Sequence, residues 1–211
     1  MPTPEQILTS LSAIASQWWL LAVAWHVYFG VLAAGLLLGR RPAQRTAALL
    51  LALPLLSVSV MAWMAANPFN GLVFGLLGLA LLILGWRLPA TPVRIAAPWA
   101  VTAGVLMFVF GWVYPHFLDA FPAYAYLYAA PVGLAPCPTL SILIGLALVV
   151  RGFDSRLWGS VLGAAGLFYG LFGALRLGVT IDLVLLAGAL LLLACLFLPS
   201  AQPRPHTLAH S

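Results

Sequence analysis

Apolar residues run through this chain in seven long blocks separated by short polar breaks. Blocks that are apolar on every side belong to helices crossing a bilayer, whereas a surface helix would show an alternating stripe. The predicted spans are residues 18–38, 47–66, 71–86, 95–113, a fifth ending at Val150, then 157–175 and 181–198. Only the last carries a charge, Asp182, near its start. Each is close to the roughly 20 residues that a helix needs to cross hydrocarbon. Trp18, Trp19, Trp86, Trp112 and Trp158 fall near proposed span ends, where indoles favour the headgroup region. Ahead of the first span, Thr3, Pro4 and Gln6 have the spacing of a capped helix start. Ile7, Leu11 and Ile14 follow at helical intervals, so residues 4–16 read either as a short interfacial helix or as an extension of the first span.

Composition agrees with lipid as the solvent. Hydrophobic residues are 64% of the 211, and charged residues only 6%, against about a quarter in soluble domains. Such a chain has too little polarity to cover a water-facing surface. The expected organisation is an interfacial segment over 1–16, a seven-helix transmembrane domain over 17–199 and a flexible cytoplasmic tail over 200–211. The opening residues lack basic charge, so the first block reads as a span and not as a cleaved signal.

The net charge of +5 comes from nine arginines and no lysine. Lacking lysine, the chain cannot form a retinal Schiff base, which excludes a rhodopsin-type pigment. Arg40, Arg41 and Arg45 follow the first span, Arg87 and Arg94 the third, Arg151 and Arg156 the fifth, and Arg204 the seventh, with Arg176 alone on the other side. This is a positive-inside pattern for an odd number of spans, with the N-terminus outside and the C-terminus cytoplasmic. Arginines dispersed between apolar runs also argue against nucleic acid as a partner.

Given that orientation, the unusual polar residues gather at the outer side: Asn67, Tyr114, His116, Asp119, Cys137, Thr139, Arg176 and Asp182. Only thirteen residues separate Cys137 from Arg151, a helical rise of about 20 Å against roughly 30 Å of hydrocarbon. Pro136 and Pro138 bracket the thiol, so the fifth helix is expected to break near Cys137, with 131–136 descending as non-helical chain. Irregular backbone at that depth survives only where protein or a wet cavity satisfies it. A helix N-terminus placed there also offers N–H groups to an anion or a thiolate. His26, in the first span, is expected at a similar depth.

Cys137, His116 and His26 are candidate metal ligands, and His116, Asp119 and Cys137 combine donor types that hold zinc. No CxxC or HExxH occurs, so cofactors are left open. Arg176 and Asp182 are expected to pair across the turn before the seventh helix, and Cys195 to serve packing. Gly159, Gly163, Gly166, Gly170 and Gly173 predict close helix contact, inside the bundle or with a second copy.

Asn67-Pro68 with Phe74-Gly75, Tyr114-Pro115, Gly133-Leu134-Ala135-Pro136-Cys137-Pro138-Thr139 and Leu177-Gly178-Val179 with Asp182 form an ordered series over about two thirds of the chain. In these motifs the chain resembles the bacterial membrane proteins grouped as the domain of unknown function 6064 family. The resemblance implies a multi-pass protein of the bacterial inner membrane, and it points to Asn67, Tyr114, Cys137, Thr139 and Asp182. The first span lacks that family's tyrosine–asparagine pair, so the resemblance assigns His26 no role. The leading expectation is transport or binding of a small solute, ion or metal in an outward-facing pocket. The alternatives are a scaffold or sensor module, or a membrane-embedded enzyme using Cys137 or a metal.

Overall fold

Thr3 starts the first helix as its sequence predicts. Its hydroxyl accepts from the Gln6 N–H, and its own N–H donates to the Gln6 side chain at 2.9 Å, closing a capping box over Pro4. In the computed structural model, which describes residues 3–118 and 121–197, this helix α1 (Pro4–Gln17) is separate from α2 (Trp19–Leu37). Trp18 leaves helical geometry between them, which decides for a distinct helix over an extended first span. Leu11, Ile14 and Ala15 of α1 are buried, while Glu5, Gln6 and Thr9 face out.

The remaining helices are α3 (Gln44–Met64), α4 (Pro68–Trp86), α5 (Pro98–Val113), the single turn α6 (Tyr126–Ala129), α7 (Pro136–Val149), α8 (Arg156–Leu171) and α9 (Asp182–Phe197). The fold is all-helical, with no strand among the described residues beyond an isolated bridge between Ala43 and Pro92. Among the described residues, four helices are long and apolar enough to cross a membrane: α2, α3, α4 and α8 with its continuation to Arg176. Helices α5, α7 and α9 are apolar but shorter. The α5 helix begins at Pro98, three residues later than expected, because proline suits the first helical position and disfavours helix in the residue before it. Asp119, the end of the seventh predicted span and the tail with Arg204 lie outside the described residues.

Helix α7 forms the centre. Twelve of its residues are buried, and α3, α5, α8 and α9 all pack on it. Backbones come close where side chains vanish: a Cβ at Gly104 of α5 would strike the Gly145 carbonyl of α7, and one at Gly145 would strike the Gly104 carbonyl. The glycines of α8 do the same along α9, Gly159 facing Leu196, Gly163 facing Leu193, and Gly170 facing Leu186. That glycine face meets a neighbour within the chain, the first of the two contacts that its spacing allowed.

The two ends of the bundle differ in chemistry. At one end the loops after α2 and α4 are joined by Gln44 N–H donating to Thr91 O and Val93 N–H to Pro42 O. Ala96 N–H donates to Val149 O at the end of α7. These contacts bring the loops bearing Arg40, Arg41, Arg45, Arg87 and Arg94 together. The other end carries α1, Asn67, the segment from Tyr114 to Ala135, and the turn before α9.

Glu5 in the first turn of α1 is fully exposed, and its carboxyl is held below the usual carboxylate range by its own backbone N–H, then by Thr3, and more weakly by the charge of Arg176. A depressed acid contributes order above its unfolded pKa of about 4.3, and loses that contribution as pH falls through the lower folded value. Acidification below about pH 4 is therefore expected to speed amide exchange in α1 selectively, and Glu5→Gln to remove the dependence. Exchange in α1 that is flat with pH in the native protein would contradict this.

Candidate functional site

The backbone entering α7 sets the site. Residues 131–135 are non-helical and buried, and their backbone N–H groups are met by protein. Leu134 and Ala135 N–H donate to Pro131 O, Val132 N–H to Ala130 O, and Gly133 N–H to the Thr139 hydroxyl at 2.8 Å. That hydroxyl in turn donates to Ala135 O at 2.7 Å. The predicted break near Cys137 is thus a closed turn leading into a helix that starts at Pro136. The expected N–H cradle for an anion is absent. Of the four donors that a helix start leaves free, Ala135 is bonded, Pro136 and Pro138 have none, and only the N–H of Cys137 is left.

Three of the predicted residues converge there. The Tyr114 hydroxyl donates to Asp182 Oδ1 at 2.7 Å, and the Cys137 thiol donates to Asp182 Oδ2 at 3.2 Å. Asp182 is 1% exposed and Tyr114 fully buried. Each carboxyl oxygen thus faces one protic side chain. Room for the carboxyl group comes from α8, whose last turn widens into a π-turn over Phe172–Arg176. A Cβ on Gly173 in that turn would collide with the Asp182 carboxylate. The imidazole of His116 is near enough to act electrostatically on Asp182, and its Nε2 is buried with no hydrogen-bond partner among the described residues.

The cluster borders a void of about 20 Å³ whose wall includes Asn70, Cys137, Tyr169, Gly173 and Asp182, with Ile7 and Leu11 of α1 across it. That volume holds about one water. Tyr169 donates to Asn70 Oδ1 at 2.9 Å, completing a second polar pair against the same space. Neither residue was anticipated, although each is a solitary hydrogen-bonding side chain at or within an apolar block. The helix α1 lies against this end and leaves Cys137 half-buried.

Other expected site residues serve the architecture. Asn67 caps α4, its side chain accepting from Asn70 N–H at 3.1 Å, and Thr139 holds the turn described above. His26 places Nε2 2.9 Å from Trp112 O and Nδ1 2.8 Å from Ala22 O. The first of these is a carbonyl in the last turn of α5, which that helix cannot satisfy itself. Both partners are carbonyl oxygens and a neutral imidazole has one N–H to give, so His26 ties α2 to α5 through one of these bonds and does not join the Asp182 cluster. Arg176 is exposed and makes no ion pair with Asp182; among the described residues the ion pair is Arg151 with Asp154, at 3.2 Å. The expected Arg176–Asp182 pair fails because Asp182 turns inward to neutral donors, while a guanidinium following it would lose its water. Both cysteines are free thiols, and Cys195 packs against the core. Among the described residues no three His, Cys, Asp or Glu side chains converge as a metal site, so Cys137, His116 and His26 are not one ligand set.

Fold and site together define an all-helical protein of apolar helices with a buried carboxylate and phenol meeting a half-buried thiol at one end. No family model, curated protein or solved structure matches the chain.

Proposed function

We infer that this is a multi-pass protein of a bacterial inner membrane, with seven spans and its N-terminus outside, that binds or passes a small cation, the proton foremost, at an occluded site around Asp182. The observation that carries the reading is the buried Asp182 carboxylate, held by two protic side chains and no cation. Ionisable groups inside a membrane are costly and are functional by default. The void of about 20 Å³ suits a proton, a water or a bare ion better than a larger solute. Clustering of arginine-bearing loops at the opposite end supports the orientation. In this reading α1 is the outer gate, and opening moves Ile7 and Leu11 off the cluster.

Two measurements test it. In a Cys195→Ala background, a membrane-impermeant maleimide applied from outside is expected to label Cys137 slowly, and Leu11→Ser to raise the rate about tenfold by loosening the gate. Labelling only from the cytoplasmic side would refute the orientation. In liposomes loaded with a pH-sensitive dye, the native protein is expected to dissipate an imposed pH gradient, and Asp182→Asn to leave it standing. Identical traces for both proteins and empty vesicles would sink the cation reading. They would favour a scaffold or sensor module, to which the structural roles of Thr139, Asn67 and His26 are equally suited.

A further inference from the structure

A wide groove lies at the arginine-bearing end, away from Asp182. A proline creates its roof. Pro54 inside α3 has no N–H to give Leu50 O, and the Tyr28 hydroxyl of α2 donates to that carbonyl instead, at 2.9 Å. One turn further along each helix, the Trp25 indole donates to the Ser57 hydroxyl at 3.0 Å. These long side chains tether α2 to α3 while holding the helices apart. Beyond Tyr28 nothing fills the gap, and a groove of about 400 Å³ runs to the helix ends between Leu32, Gly35 and Leu36 of α2, Leu51 of α3, and Leu146 and Val150 near the end of α7. A Cβ at Gly35 would meet nothing within 4 Å.

The mouth is basic by construction. Gly39 takes φ 81°, which suits glycine, and ends α2 in a Schellman turn: its N–H donates to Leu36 O, and the Arg40 N–H to Gly35 O at 2.9 Å. This turn seats Arg40 at the rim, directly after the groove floor. Arg41 folds back onto Leu36 O and Arg40 O, whereas the guanidinium of Arg40 has no hydrogen bond or ion pair among the described residues and lines the opening.

We propose that this groove is a binding site for an anionic phospholipid, with one acyl chain between α2, α3 and α7 and the phosphate on Arg40. An apolar slot of ligand-site size that ends in an unpaired cation at the membrane surface matches that amphiphile at both ends. A free phosphate would use only the rim, and a neutral lipid only the slot. The inference rests on the proposed bilayer setting and not on any cation passage at Asp182, so the two stand or fall separately.

The test uses the purified full chain in a nonionic detergent. Phosphatidylglycerol, phosphatidylcholine of the same chains, or inorganic phosphate is added, followed by native mass spectrometry and thermal unfolding. Phosphatidylglycerol is expected to remain bound and raise the unfolding midpoint, phosphatidylcholine to be retained at least fivefold less, and phosphate to do nothing. Gly35→Trp fills the slot and is expected to abolish retention of both lipids. Arg40→Gln leaves the slot open and is expected to cut the preference for the anionic lipid about fivefold. Equal retention of the two lipids by the native protein, an effect of phosphate matching that of lipid, or undiminished retention in a folded Gly35→Trp would each overturn the proposal.

Discussion

Asp182→Ala is expected to lower the unfolding free energy of the purified protein by about 3 kcal/mol or more, measured by equilibrium unfolding in mixed micelles. Hydrogen bonds to a charged group contribute roughly 1.5–3 kcal/mol each, and the carboxylate receives two, from Tyr114 and Cys137. Removing it also leaves a buried phenol and a thiol without the acceptor they share. Asp182→Asn keeps one acceptor oxygen and is expected to lose about half as much, because its amide group turns a donor toward the other partner. A double-mutant cycle with Tyr114→Phe isolates the bond. If the two losses simply add, to within about 0.5 kcal/mol, the phenol and the carboxylate are not coupled and the cluster is only a packing arrangement.

Gly133→Ala is expected to cost about 2–5 kcal/mol by the same measurement, from two separate causes. Gly133 has φ 72°, a left-handed conformation that costs an L-residue roughly 1–2 kcal/mol. A Cβ there would also run into the indole of Trp25, and overpacking a tight contact costs about 1–3 kcal/mol. Combining Gly133→Ala with Trp25→Phe separates the two, since the smaller ring relieves the collision and leaves the backbone strain. A loss below about 0.5 kcal/mol for Gly133→Ala would mean that the turn before α7 is not held as described.

Much of the helical layout was readable because it depends on local signals. Apolar blocks, the capping box at Thr3 and the prolines bracketing Cys137 located helix starts to within a few residues. The break near Cys137 was readable from proline chemistry and a residue count. The partners of Asp182 were not. Arg176 is six residues away and of opposite charge, which made it the obvious candidate, whereas Tyr114 and Cys137 come from α5's end and α7's start, 68 and 45 residues distant. Sequence proximity says nothing about which way a carboxylate turns when a π-turn opposite it leaves space. The pairing of Asn70 with Tyr169 was hidden for the same reason, spanning 99 residues. One contact was accessible in principle: a proline inside an apolar block always frees a carbonyl four residues earlier, so Pro54 announced that Leu50 needed a donor.

The shortness of α7 also orders how the protein can be built. Its 14 residues rise about 21 Å, too little to be threaded across about 30 Å of hydrocarbon alone. Biosynthetic insertion machinery meeting this stretch has no self-sufficient segment to release sideways into lipid. The turn before it needs Trp25 from a helix already delivered, and the thiol at its start needs an acid that is synthesised 45 residues later. The central helix is therefore expected to be among the last to reach its final depth, installed by its neighbours after they are themselves in place.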